Sequence, residues 1–183
     1  DLGYTFPSKI SAIEYSPIIN DYWFVSTEDG HFFYSTDMGE NFIETSNFSG
    51  PESHYFYGST ILPSYVDQQR IYIGGSGYSN PAIYLSEDGG ESFSAFDEGL
   101  PNTLVYELAS LPDESIIFAA TEVGPYSYSF EQGIWEDMSG DDAPDQVYWS
   151  VEYIHEIRTV RFGTYGRGIW DFTFDYNPVL MIG

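Results

Sequence analysis

The sequence predicts an all-β chain built from repeated strand units. Three observations predict it. Polar and apolar residues alternate in short runs, Gly, Pro, Asn and Asp separate those runs, and the runs recur every 44–47 residues. Alternation places successive side chains on opposite faces of a strand, which is the pattern of a half-buried sheet and not of a helix. The runs include ISAIEYS (10–16), YWFVST (22–27), HFFYST (31–36), RIYIGG (70–75), AIYLS (82–86), SIIFAAT (115–121), YSYSF (126–130), RTVRFGT (158–164) and GIWDFTF (168–174). They are rich in β-branched and aromatic residues, which pack well on a pleated surface.

The strands repeat as units. A strand ending in Gly, Ala or Ser plus Thr or Ser leads into a turn and then an aromatic strand. The four copies are VSTEDGHFFYS, IGGSGYSNPAIYLS, AATEVGPYSYS and FGTYGRGIWDF. A further strand precedes each copy: KISAIEYSP (9–17), HYFYGSTILP (54–63), LVYELASLP (104–112) and VYWSVEYI (147–154). Gly30 to Gly124 is two steps of 47 residues, and Gly124 to Gly168 is one of 44. Propeller blades of four strands recur at ~40–50 residues. The fold class is therefore a β-propeller of about four four-stranded antiparallel blades, near 8–50, 54–100, 103–140 and 146–176. Four blades is the low end of the known range. The chain is either a small ring or the C-terminal blades of a larger one.

Composition narrows the function. The chain has 183 residues, 42% of them hydrophobic and 19% aromatic, enough for a packed core. Twenty-nine acids face five bases, for a net charge of −24. Phosphate backbones and anionic lipid surfaces need clustered Lys and Arg, so neither nucleic acid nor a membrane surface is an expected partner. The absence of cysteine removes disulfides and thiolate chemistry. No apolar run approaches the ~20 residues of a membrane span.

One short motif occurs twice. STDMGENF (35–42) returns as SEDGGESF (86–93), both Ser-x-Asp-x-Gly-x-x-Phe. Asp37 and Asp88 suit a loop in which a carboxylate accepts backbone N–H groups. Gly39 and Gly90 suit positive φ. Ser35 and Ser86 add a hydroxyl that closes the loop, and Phe42 and Phe93 open the next strand. A worn third copy has Ser129, Glu131, Gly133 and Trp135, the aromatic one place early, and the fourth unit has none.

At these residues the chain resembles the Asp-box, or bacterial neuraminidase repeat, family, over about residues 8–176. The resemblance implies a β-propeller with its boxes on the blade periphery, away from any central site. The family spans sialidases, xyloglucan-type glycosidases, sortilin-like receptors and secreted proteins. It therefore implies an exported protein and scaffold boxes without naming a reaction. It also implies propellers of six or more blades, hence further blades as partners.

Catalytic constellations are weak. A sialidase-type clamp needs an arginine cluster, and the arginines are only Arg70, Arg158, Arg161 and Arg167. Arg158 and Arg161, three apart on one expected strand, face opposite ways. With so many acids, some carboxylate pair meets glycosidase spacing by chance. Asp97 and Glu98 follow an outer strand, where solvated carboxylates are expected. His31, His54 and His155 lack zinc spacing. No cofactor is implied. Asp141, Asp142 and Asp145 in SGDDAPD form the one calcium candidate, without EF-hand spacing.

Aromatic contact residues fit better. Tyr55, Tyr57, Tyr78, Tyr106, Tyr148, Trp149, Tyr165 and Trp170 include candidates for stacking on a sugar or a protein. Tyr78 and Tyr165, in Gly-rich turns, are the expected exposed ones, with Arg167 beside Tyr165. The sequence thus points to a non-catalytic recognition or structural module, extracellular or at the cell surface, with a protein or glycan partner. Part of a glycoside hydrolase and a self-assembling surface protein are the alternatives.

Overall fold

A computed structural model describes residues 3–51, 60–140 and 143–173. Four antiparallel meander sheets follow one another along the chain. The first contains β1 (Ile10–Tyr15), β2 (Trp23–Thr27), β3 (Phe32–Ser35) and β4 (Ile43–Glu44). The second contains β5 (Thr60–Pro63), β6 (Ile71–Gly74), β7 (Ile83–Ser86) and β8 (Ser94–Ala95). The third contains β9 (Val105–Ser110), β10 (Ile116–Thr121), β11 (Pro125–Ser129) and β12 (Ile134–Asp137). The fourth contains β13 (Tyr148–Ile154), β14 (Thr159–Thr164) and β15 (Ile169–Thr173). Three sheets have four strands each, and the last has three among the described residues. That sheet is the unit without a Ser-x-Asp turn. The first half of the expected strand 54–63 lies outside the described residues.

The first strands of the sheets, β1, β5, β9 and β13, pack side by side in chain order, so the sheets form an arc around them. No comparable packing joins β13 back to β1 among the described residues. Each sheet buries its faces against its neighbours. Phe24 and Phe32 of the first sheet meet Ile71, Ile73 and Tyr84 of the second. Tyr72 and Ile83 meet Val105, Ile117 and Trp135 of the third. Phe118 and Ala120 meet Val151, Val160 and Phe162 of the fourth. Central strands buried on both faces explain why β6 and β10 read as near-continuous apolar runs.

The two ends of the arc differ. On the outer face of the first sheet, Phe33 and Phe42 are covered by Tyr4 and Phe6, with Phe6 at 5.2 Å from Phe33 and 5.1 Å from Phe42. The N-terminal segment thus stands where a preceding sheet would pack. The outer face of the last sheet carries a polar row, Glu152, Arg161 and Asp171, in cross-strand register. Arg161 Nε and Nη2 each donate to Asp171 at 2.7 Å.

An ion pair between a buried carboxylate and a half-buried guanidinium crosses the seam between the second and third sheets. Glu114 sits in the β9–β10 turn at φ 55°. Its carboxylate accepts from Arg70 Nη1 at 3.1 Å, from the Tyr65 N–H at 2.9 Å and from the Tyr72 phenol at 3.4 Å. Burial, and then the Glu114 carboxylate, push the Tyr72 phenol well above its ordinary pKa.

Candidate functional site

The antiparallel meander sorts the loops between two rims. The turns between second and third strands lie at one rim, together with the starts of β9 and β13. The Ser-x-Asp turns, between third and fourth strands, lie at the opposite rim.

At that opposite rim the two full motifs fold alike. The Ser35 hydroxyl donates to Asp37 Oδ1 at 2.7 Å and accepts from the Gly39 N–H at 2.9 Å. Asp37 also accepts from the Asn41 backbone and side chain at 2.9 and 2.7 Å. Ser86, Asp88, Gly90 and Ser92 repeat this pattern. Gly39 and Gly90 have φ of 80° and 96°, and the residue before each, Met38 and Gly89, is left-handed too. A Cβ on Gly90 would also approach Phe32 Cε1 to 2.9 Å. β4 and β8 begin one residue after Phe42 and Phe93.

The third turn differs from its expected form. Backbone bonds from Gln132 and Gly133 to the Ser129 carbonyl close it, at 3.1 and 2.8 Å. The Ser129 hydroxyl accepts only weakly from the Glu131 N–H, at 3.3 Å. Glu131 is exposed and contributes no carboxylate bond to the turn among the described residues.

The aromatics of these turns reach backward along the arc. Phe93 stacks on Phe48 of the preceding unit at 4.6 Å and meets Phe32 edge-on at 4.8 Å. Trp135 donates its indole N–H to Phe96 O of the second unit at 2.7 Å. Phe42 reaches Tyr4 and Phe6.

The carboxylates of the turns are engaged in their own loops. Hydrogen bonds from the Asn41 side chain first, then from its backbone and from Ser35, hold Asp37 down at a pKa of about 2. Burial opposes a similar fall at Asp88, yet the bonds from Ser92 and Ser86 prevail and lower it. A depressed carboxylate stabilises the fold above its unfolded pKa of ~3.9, and that contribution is lost as pH falls through the folded value. Carboxyl NMR titration should therefore place Asp37 near 2 and Asp88 below the ordinary carboxylate range. A midpoint near 4 for Asp37 would show that its loop bonds do not hold in solution.

At the first rim, irregularities in the strands bring aromatic residues together. β1, β9 and β13 each carry an extra residue near this end: Ser11, Tyr106 and Trp149. A bulge leaves its extra residue outside the ladder and re-aims its side chain. Tyr106 and Trp149 meet with ring centroids 4.6 Å apart and planes at 38°. Tyr165, 75% exposed, approaches Trp149 at 6.1 Å. Its turn is held by Thr164, whose hydroxyl donates to Gly168 O at 2.8 Å and accepts from the Arg167 N–H at 3.2 Å. Tyr78, 52% exposed, stands on the same rim, and its phenol donates to the Glu122 carboxylate. Tyr78, Tyr165 and Arg167 thus share a rim, where Tyr106 and Trp149 join Tyr165 in one platform.

Two clefts flank β13. One, of about 430 Å³, is lined by Leu62, Tyr65, Glu107, Val151, Glu152 and Tyr153 among others. The other, of about 490 Å³, is lined by Glu107, Ser150, Glu152, Arg161 and Ile169 among others. Glu107 and Glu152 line both. Glu107 Oε2 accepts from the Val151 N–H at 2.9 Å, tying β9 to the free edge of β13. Burial raises the Glu107 pKa; the Val151 N–H pulls it down, and the Glu152 charge adds to the rise.

Other expected residues are placed elsewhere. Tyr148 is buried in the core and bonds to Pro144 O at 3.0 Å. Trp170 packs against the core of the last two sheets. Tyr55, Tyr57, Asp141 and Asp142 lie outside the described residues, and Asp145 is exposed. No group of three or more His, Asp or Glu able to hold a metal occurs among the described residues. Arg158 is not on a strand: a short 3₁₀ turn (His155–Ile157) ends on it in the left-handed region, so the two-faced strand expected for Arg158 and Arg161 is corrected. Asp97 is half-buried and Oδ2 accepts from the Ala82 N–H at 2.9 Å, so it anchors a turn instead of standing in solvent.

No family model and no curated protein matches the chain. Solved structures do. The GH74 xyloglucanase from Xanthomonas campestris aligns with a TM-score of 0.71 and 15% identity over 88% of this chain and 28% of its own. The Niastella koreensis GH74 enzyme aligns at 0.69 and 21%, over 87% of this chain and 27% of its own. The fold is a β-propeller type. The extracellular domain of a putative hybrid two component system from B. thetaiotaomicron aligns at 0.66 and 17%, over 92% and 22%. At such identities the likeness is one of fold. This chain spans less than a third of the length of each of these proteins. Among the described residues, no helix of the propeller is long and apolar enough to cross a membrane.

Proposed function

We propose that this chain is a recognition module, an arc of a propeller from an exported protein, whose aromatic platform takes a glycan. The observation that carries it is the convergence of Tyr106, Trp149 and Tyr165 at one rim. Two of the three rings are aimed there by bulges at matching places in adjacent sheets. The apolar C–H face of a pyranose suits such a surface, because the ring face is negative and those hydrogens are slightly positive. The Tyr78–Glu122 pair on the same rim supplies acceptors for sugar hydroxyls.

In this reading the Ser-x-Asp turns are Asp-boxes with a scaffold role. Their side chains are occupied within the loop, and their aromatics bind sheet to sheet. The blades are those near 8–50, 54–100, 103–140 and 146–176, and further blades complete the ring. The experiment is a titration of tryptophan fluorescence with neutral β-linked oligosaccharides, beside hydrolysis assays on the same sugars. Trp149→Ala should weaken binding about five- to tenfold, the worth of one aromatic contact. Turnover would replace this reading by a glycoside hydrolase with Glu107 and Glu152 as the first carboxylates to test. Silence in both assays would leave a protein partner or a structural role.

A further inference from the structure

The rim that carries the Ser-x-Asp turns also holds the turns between first and second strands. Two of these are built alike. The Ser16 hydroxyl accepts from the Ile18 and Ile19 N–H groups at 3.2 and 3.1 Å. The Ser64 hydroxyl accepts from the Val66 and Asp67 N–H groups at 3.0 and 2.8 Å. Both serines are buried. A hydroxyl bonded to its own loop is ordinary turn chemistry. The residues these turns raise into solvent are not ordinary. Ile18 and Val66 stand two places after each serine, Tyr15 and Tyr65 stand next to it, and all four are exposed. Tyr15 and Tyr65 line one cleft of about 340 Å³ with Glu14, Pro17 and Pro63. Exposed apolar residues scattered singly need no explanation, but residues gathered at one cleft mark a contact surface.

We propose that this cleft docks a basic segment of a partner protein, its apolar side chains seated between Tyr15 and Tyr65 and its lysines or arginines facing Glu14. Charge picks the partner. Glu14 is the charged residue of the cleft, and no base lines it among the described residues. The turns around it add Asp21, Asp67, Asp113 and Glu156. Of the arginines in those turns, Arg70 is engaged by Glu114 and Arg158 is the other. A second copy of a chain at −24 brings like charge, so self-association at this surface is disfavoured. A basic segment is drawn in by the same field and then covers the tyrosine faces, on which Lys and Arg side chains also pack favourably. The turns suit the task because Ser16 and Ser64 already fix their backbones, so little order is lost on binding. The surface lies at the rim away from Tyr106, Trp149 and Tyr165, so the inference stands apart from the glycan reading.

The test uses the whole chain and three labelled peptides of about 12 residues, ~40 Å when extended. One is built of Lys with Leu and Tyr, one of Lys with Ser, and one of Glu with Leu and Tyr. Fluorescence anisotropy reads the binding. The Lys–Leu–Tyr peptide should bind about tenfold tighter than either of the others. Tyr65→Ser should weaken it about five- to tenfold, the worth of one aromatic contact. Val66→Ser, in the same turn, should weaken it about threefold and decides the matter if Tyr65→Ser alters the fold. Glu14→Gln should weaken it about threefold at low ionic strength and have little effect near 1 M salt, where the Debye length falls to ~3 Å. Val123→Ser removes an exposed apolar side chain at the other rim and should leave binding unchanged. Equal binding of the Lys–Ser peptide, or unchanged binding in both Tyr65→Ser and Val66→Ser, reduces the attraction to net charge and overturns the proposal. Equal binding of the Glu peptide, or binding of none of the three, also overturns it. Self-association abolished by Tyr65→Ser would make the surface an interface between copies and overturn it too.

Discussion

Glu114→Ala is expected to lower stability by about 3–5 kcal/mol, the usual effect of removing one partner of a buried ion pair. Glu114 is 2% exposed, and its carboxylate serves three donors from the second sheet. Its loss strands the Tyr65 N–H and the Tyr72 phenol. It also leaves the Arg70 guanidinium, among the described residues, with the Asp67 carboxylate at 3.7 Å and the Phe130 ring at 5.7 Å. Arg70 Nε is already buried without a partner among the described residues, so the site has no reserve. Glu114→Gln keeps an acceptor for Tyr65 and should cost less. Replacing both partners, as Arg70→Met with Glu114→Leu, should cost less than the two single changes combined, since no charge is then left alone. Urea denaturation measures all of these. Salt should stabilise every variant, because it screens the repulsion of a chain at −24, but the gap to the parent should persist since the Glu114 carboxylate is buried. A loss below about 1 kcal/mol for Glu114→Ala would mean the pair is solvated and the seam is held by its apolar contacts alone.

This pair shows what the sequence concealed. The stretch LPDES reads as a solvated turn, and nothing local says that its glutamate crosses into the preceding sheet. The middle strands were legible for the opposite reason. β2, β6, β10 and β14 declare themselves through apolar runs ending at a threonine or glycine turn, and that turn chemistry is local. Thr27, Thr121 and Thr164 hydroxyls do bond within their own turns. β4 and β8 are two residues long, too short to show any period. The bulges were invisible because one extra residue interrupts the alternation that marks a strand, so Tyr106 and Trp149 could be named as aromatics but not as partners. Glu107 had a readable signal, a charge inside the apolar run LVYELAS, yet its purpose depends on the free edge of β13, which no local pattern reveals. Arg158 was misplaced because the 3₁₀ turn before it has the length of a strand extension and no Gly or Pro to announce it.

Trp135→Ala should cost about 3–5 kcal/mol, as truncations of buried aromatics do. Trp135 is 1% exposed on a four-residue outer strand that would otherwise have little to hold it. Its ring packs on Tyr128 at 5.6 Å and Phe96 at 6.2 Å, and its indole N–H satisfies Phe96 O. The backbone adds a bond from its N–H to Glu98 O at 2.9 Å. The residue thus joins the second and third units by packing and by hydrogen bonds at once. Trp135→Phe separates the two: it keeps most of the packing and should cost about 1 kcal/mol for the lost bond, somewhat more if Phe96 O stays dry. Phe42→Ala is the informative contrast. Phe42 holds the same place in the first unit but packs on the N-terminal segment instead of a preceding sheet. Its loss should free that segment and leave the seams closed. Hydrogen exchange tells the two apart. Trp135→Ala should raise exchange on both sides of one seam, in β7–β8 and in β11–β12, whereas Phe42→Ala should raise it only around residues 3–9 and β3–β4. Exchange confined to β12 in Trp135→Ala would show that the outer strand frays without opening the seam, and that the inner strands alone keep the arc together.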